Sequence, residues 1–85
     1  MAATKVAIQN FAFSPATITV KIGTTVTWTN EDSDPHTVTS KDGSGLDSPT
    51  LDKGATYQHT FTKPGHYSYL CTIHPFMLGT VMVTP

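Results

Sequence analysis

The sequence predicts an all-β fold, and three observations carry that prediction. Sixteen of its 85 residues are threonine, which with valine and isoleucine favours extended over helical backbone. Apolar and polar side chains alternate with a period of two, and no stretch keeps the 3.6-residue period of an amphipathic helix. Turn-forming residues interrupt the alternation at close spacing: Ser14-Pro15, Gly23, Ser33-Asp34-Pro35, Gly54 and Pro64-Gly65. About seven short strands punctuated in this way imply an antiparallel sandwich or barrel.

Each element has its own pattern. Val6 and Ile8 face one way, Lys5 and Gln9 the other. Ile18, Val20 and Ile22 alternate with Thr17, Thr19 and Lys21, and Val26, Trp28 and Asn30 with Thr25, Thr27 and Thr29. A strand is expected over Thr37 to Ser40. Ser40 to Lys53 holds two glycines, a proline and three aspartates and reads as one long surface loop with room for a short edge strand. Tyr57, His59 and Phe61 then alternate with Gln58 and Thr60, and Tyr67, Tyr69 and Cys71 with Ser68 and Leu70; Val81 and Val83 close the chain. Every strand therefore offers one face to a core and one to water.

At 9.1 kDa the chain has room for one domain, residues 1–85. A net charge of −1 and the absence of arginine argue against nucleic acid as a partner, since phosphate recognition needs a basic patch. No apolar run is long enough to span a bilayer, and Met1-Ala2-Ala3 lacks the charged and apolar regions of a signal peptide. One cysteine permits no intrachain disulfide. A metal is the obvious supplement to so small a core.

The chemistry concentrates in Cys71-Thr72-Ile73-His74-Pro75-Phe76-Met77. Three soft or borderline donors recur at every third residue just beyond a strand end, where a tight loop can turn them toward one point. A thiolate, an imidazole and a thioether suit copper better than calcium or magnesium, which take oxygen. Two imidazoles and a thiolate with a weak axial methionine make an electron-transfer copper site. The second imidazole must come from elsewhere, and His36, after Asp34-Pro35 at the start of a strand, is the best candidate. His59 has inward parity and reads as a half-buried, hydrogen-bonded histidine. His66 has solvent parity, Met82 points outward between Val81 and Val83, and Met1 is terminal.

These residues resemble a known family. Cys71 to Met77 followed by Gly79 is similar to the copper loop of the amicyanins, within the plastocyanin-like cupredoxins. Phe11-Ala12-Phe13-Ser14-Pro15, Ile18 to Gly23, Val26 to Asn30, Pro35-His36-Thr37-Val38 and Pro64 to Tyr69 extend the likeness over nearly the whole chain. The resemblance implies a Greek-key β-sandwich that binds one type 1 (blue) copper ion and shuttles one electron. By position, His36, Cys71, His74 and Met77 are the implied ligands. The two residues between His74 and Met77 match the shorter amicyanin loop rather than the longer plastocyanin one. Such proteins work outside the cytoplasm, so a periplasmic location is implied.

Further expectations concern the surroundings of the site. Asn30 either ties the His36 loop to the Cys71 loop or makes a simple Asx turn. Thr72 is a candidate for the same network, and the Thr37 amide for a bond to the Cys71 sulfur. His36 is expected to be buried. His74 is expected at the surface as the electron port, with Pro35, Pro75, Phe76 and Leu78 around it as an apolar docking patch for redox proteins. Glu31, Asp32 and Asp34, with Asp42, Asp47 and Asp52 in the long loop, either steer a basic partner or form solvated turns. The lysines read as scattered. A monomer with no small-molecule substrate is expected. The rival function is a copper carrier or storage protein of the same fold. A copper enzyme would need additional ligands such as His-x-His pairs, which the sequence lacks, and zinc rarely takes methionine.

Overall fold

A computed structural model of the protein describes residues 4–40 and 45–85; Met1 and Asp42, named above, lie outside them. Eight strands follow in order: β1 (Lys5–Gln9), β2 (Ala12–Ser14), β3 (Thr17–Lys21), β4 (Thr25–Asn30), β5 (Thr39–Ser40), β6 (Thr56–Thr60), β7 (Gly65–Leu70) and β8 (Leu78–Thr84). They form two four-stranded sheets, ordered β2-β1-β4-β6 and β3-β8-β7-β5. The all-β sandwich is as expected, and β2 is the strand beyond the expected seven.

Four of the six pairings are antiparallel, but β1 with β4 and β3 with β8 are parallel. The connectivity explains why the antiparallel expectation does not cover every pair. After the β1–β2 hairpin the chain crosses to the other sheet as β3. It then returns as β4 on the free edge of β1, running in the same direction.

The alternation read from the sequence sorts the core. Val6, Ile8, Phe13, Val26 and Trp28 from one sheet meet Ile18, Val20, Tyr69, Val81 and Val83 from the other, all buried. Each such side chain contributes about 1.5–3 kcal/mol by leaving water. Ile22 departs from its parity: β3 ends at Lys21, and Ile22 is exposed beside the turn at Gly23. The long loop is less superficial than expected, because Leu46 and Leu51 are buried in the same core. The strand expected over Thr37 to Ser40 is β5, shortened to Thr39–Ser40 and paired with the end of β7; among the described residues the loop from Ser40 to Lys53 forms no edge strand of its own, only single bridges from Asp47 to Thr39 and from Leu51 to His36.

Gly79 is fixed by contact rather than by backbone angle. It stands opposite Tyr69 in the β7–β8 ladder, and a Cβ there would collide with the Tyr69 ring.

Strand direction gathers three connections at one end of the sandwich. β1 and β4 both run toward this end, β7 finishes there and β8 leaves from it. The β1–β2 turn, the segment from Glu31 to Val38 and the loop from Cys71 to Met77 therefore converge.

Candidate metal centre

His36 is fixed before its side chain is considered. Its amide donates to the Leu51 carbonyl at 3.1 Å, and the Leu51 amide donates back to its carbonyl at 2.7 Å. The imidazole is wholly buried. Cys71 lies just past β7 and is also buried. The loop after it is closed by two backbone bonds: the Met77 amide donates to the His74 carbonyl at 2.9 Å, and the Cys71 amide to the Met77 carbonyl at 3.2 Å. This tight closure buries Met77, leaves His74 half-exposed and turns Pro75 and Phe76 outward.

Three of the four expected donors, those of His36, Cys71 and His74, come together. The Cys71 Sγ lies 3.7 Å from His36 Nδ1 and 3.8 Å from His74 Nδ1, and one donor atom from each residue falls within 4.8 Å of the others. Metal–nitrogen and metal–sulfur bonds of about 2.0 and 2.3 Å, opened to about 120°, separate their donors by about 3.7 Å. The observed spacing fits one metal ion shared by all three. Among the described residues His59 and His66 lie outside this group. His59 is half-buried, with its ring edge-on to Phe61. His66 is exposed and pairs across the ladder with the half-buried Met82.

The supporting bonds match the sequence in part. The Thr37 amide donates to Cys71 Sγ at 3.3 Å. The Thr37 hydroxyl accepts the Thr72 amide at 2.9 Å and lies 3.0 Å from the Thr72 hydroxyl. This threonine pair is the tie between the His36 and Cys71 loops. Asn30 is buried and does make a tie, but to another partner. Its Nδ2 donates to the carbonyls of Asp34 at 2.9 Å and Leu51 at 2.7 Å, and its Oδ1 accepts the Asp32 amide at 2.9 Å. It binds the His36 loop to the segment before β6, because β4 adjoins β6 and lies in the sheet opposite β7.

Two residues of the site escaped the sequence reading. Asp32 accepts His36 Nε2–H at 2.9 Å, the Phe11 amide at 3.0 Å and the Asn10 amide at 2.8 Å. The Phe11 amide above all holds the carboxyl below its usual range, against the opposing effect of burial and with help from Asn10 and His36. A carboxylate can only accept, so the proton of His36 sits on Nε2 and the lone pair of Nδ1 faces Cys71. The other missed residue is Phe11. Asn10 and Phe11 form a two-residue hairpin turn with φ of 55° and 56°, a backbone state uncommon for phenylalanine. That turn stands the Phe11 ring edge-on to both imidazoles, 5.6 Å from His36 and 5.1 Å from His74. The break in alternation at Asn10-Phe11 was the available signal.

Comparison with known proteins agrees with this geometry. Residues 1–84 match the model of the copper binding proteins of the plastocyanin/azurin family. Amicyanin-alpha of Methylorubrum extorquens is 42% identical over 84 residues, covering 94% of this chain and 71% of that protein. Amicyanin of Paracoccus denitrificans is 40% identical over 80 residues, covering 89% of this chain and 61% of that protein. A Cu(I) form of an amicyanin variant superimposes with a TM-score of 0.91 at 40% identity, over 96% of this chain and 82% of that one. Amicyanins and plastocyanins are electron carriers rather than enzymes, and copper is the family's cofactor. The chain belongs to the plastocyanin/azurin family of copper-binding cupredoxins and is most like the amicyanins within it.

Proposed function

We propose that the chain acts as a single cupredoxin domain, residues 1–85, that carries one electron between redox proteins. A single type 1 copper ion would be held by His36, Cys71 and His74, with Met77 as the fourth ligand. The observation that carries this reading is the meeting of one thiolate and two imidazole nitrogens within 4.8 Å at one end of the sandwich. Bound there, copper supplies a reversible one-electron couple.

The protein's own part is to keep the donors still. Asp32 fixes the tautomer and plane of His36, and the Thr37 amide gives the Cys71 sulfur a hydrogen bond that stabilises negative charge on it. Loop closure through Met77 and the Thr37–Thr72 tie hold the two loops at one separation, so little has to move when an electron arrives or leaves. His74 is the half-exposed ligand and serves as the electron port. Four of the five exposed large apolar side chains among the described residues, Phe11, Ile73, Phe76 and Leu78, belong to the loops of this end or to the start of β8. With Pro35 and Pro75 they form the proposed docking patch, suited to short-lived redox encounters. The proposed setting is a monomer, in the periplasm by analogy with the amicyanin relatives.

The test is voltammetry of the copper-loaded protein. An electron carrier gives a reversible one-electron wave with fast exchange. A copper carrier or storage protein gives slow or irreversible exchange and releases the metal on cycling.

A further inference from the structure

Two donors that the metal centre does not use meet on the outer face of the β3-β8-β7-β5 sheet. In the antiparallel β7–β8 ladder His66 stands directly opposite Met82. Both point away from the core, because their neighbours along the strands point into it. Val81 and Val83 are buried on either side of Met82, and Tyr67 beside His66 packs against the core. His66 is exposed and Met82 half-buried. An imidazole whose only competitor is water thus stands next to a thioether whose chain is already partly held.

The pair is accessible and separate from the metal centre. β5 pairs with β7 only at Tyr69 and Leu70, so among the described residues no strand covers the edge of β7 at His66. On its other side Met82 is flanked by Thr19 of β3. His66 precedes Cys71 by five positions, about 17 Å along an extended strand. One ion cannot serve both places.

The spacing suits an ion with two ligands. Residues directly opposite in an antiparallel pair have Cβ atoms about 4.5–5.5 Å apart, and side chains in strands stand roughly upright from the sheet. Bonds of about 2.0 Å to nitrogen and about 2.3 Å to sulfur, set in line, separate the two donor atoms by about 4.3 Å. An ion can therefore sit between the tips of the two side chains with the backbone where it is. Monovalent ions with a filled d shell accept such two-ligand geometry.

The donors decide which ion. An imidazole and a thioether are neutral and borderline or soft, a combination that suits copper(I). Calcium and magnesium take oxygen, and a zinc site has three or four protein ligands. β3, β7 and β8 contain no aspartate or glutamate. Lys21 pairs with Thr84, diagonally across from Met82. A divalent cation therefore finds no compensating charge on these strands and one positive charge nearby, a penalty that a monovalent ion feels less.

We infer that His66 and Met82 form a second metal site, on the flank of the sandwich, that takes a soft monovalent cation, copper(I). The site goes beyond the electron-carrier reading and does not depend on it. It holds the reduced ion and does not cycle it, since one imidazole and one thioether offer copper(II) too little.

The test adds copper(I) without oxygen, as its acetonitrile complex, to protein whose metal centre already holds one equivalent of copper(I). Competition with bicinchoninate reads the uptake of a second equivalent, and the His66 ring and Met82 methyl resonances read its place. The second equivalent should shift both together and leave the ring resonances of His36 and His74 where they were. Met82→Leu and His66→Gln should each weaken the second equivalent by about tenfold or more, at least the scale on which even a supporting group's loss is felt, with thermal unfolding unchanged. Calcium(II) and zinc(II) in the same excess should leave the Met82 methyl in place. No uptake beyond one equivalent, a His66 shift without one at Met82, or variants that take up the second ion as tightly as the wild type would each overturn the inference.

Discussion

Asp32→Ala removes an acceptor for three N–H groups, one on each turn residue of the β1–β2 hairpin and one on His36. Hydrogen bonds to a charged group stabilise by about 1.5–3 kcal/mol each, but this side chain keeps 14% exposure, so about 1 kcal/mol per bond is the fitting scale. The expected loss is about 3 kcal/mol, and a domain of this size then melts about 15 °C lower. The loss is felt where strain already resides, in two consecutive non-glycine residues of positive φ. Asp32→Asn is the sharper variant. Oδ2 accepts two of the bonds and Oδ1 one, so an amide oxygen at the Oδ2 position keeps Phe11 and His36. Its NH2 then confronts the Asn10 amide. One bond and the charge are lost, and about 1–2 kcal/mol is expected. The assay is urea unfolding of the copper-free protein, with its slope checked against the wild type. An alanine variant within about 0.5 kcal/mol of wild type, a difference typical of inert surface changes, would refute the argument. So would an asparagine variant as unstable as the alanine.

Other expectations follow from the same structure. Met77→Leu should retain copper and raise the reduction potential, because a thioether supports Cu(II) more than Cu(I); voltammetry that shows a lower potential would remove Met77 from the proposed ligand set. Gly79→Ala should destabilise by about 1–3 kcal/mol through overpacking against Tyr69, and unchanged thermal unfolding would show that the ring has room to give. Burial pushes the Tyr69 hydroxyl up to about 12. A folded value raised above the unfolded one gives stability that is complete below about pH 10 and lost as pH climbs through 12. Tyr69→Phe should abolish that alkaline loss, and because the hydroxyl is buried without a hydrogen-bond partner among the described residues, it should cost little at neutral pH. Identical alkaline titrations of the two proteins would contradict this.

Parity and donor spacing made much of this molecule legible before its structure. Val26, Trp28 and Asn30 were inward by alternation and are buried, and the three-residue spacing of Cys71, His74 and Met77 marked the loop. What stayed hidden depends on contacts distant in sequence. Leu46 and Leu51 sit amid turn residues, and only their pairing with the His36 segment draws them into the core. The partners of Asn30 depend on which strand lies beside β4, which alternation does not specify. Asp32 read as one of several turn carboxylates, and its role appears only when the Asn10-Phe11 turn, more than twenty positions earlier, is folded against it.

The central claim is that Cys71 and the two histidines bind copper as one site, and optical titration of the metal-free protein with Cu(II) tests it most directly. A thiolate bound to Cu(II) in this setting gives an intense visible charge-transfer band that saturates at one equivalent. In Cys71→Ser the band should vanish while the far-ultraviolet spectrum of the β-sandwich persists, since the strands and not the sulfur build the fold. A colourless wild-type complex, or an intense band that survives in the serine variant, would contradict the account.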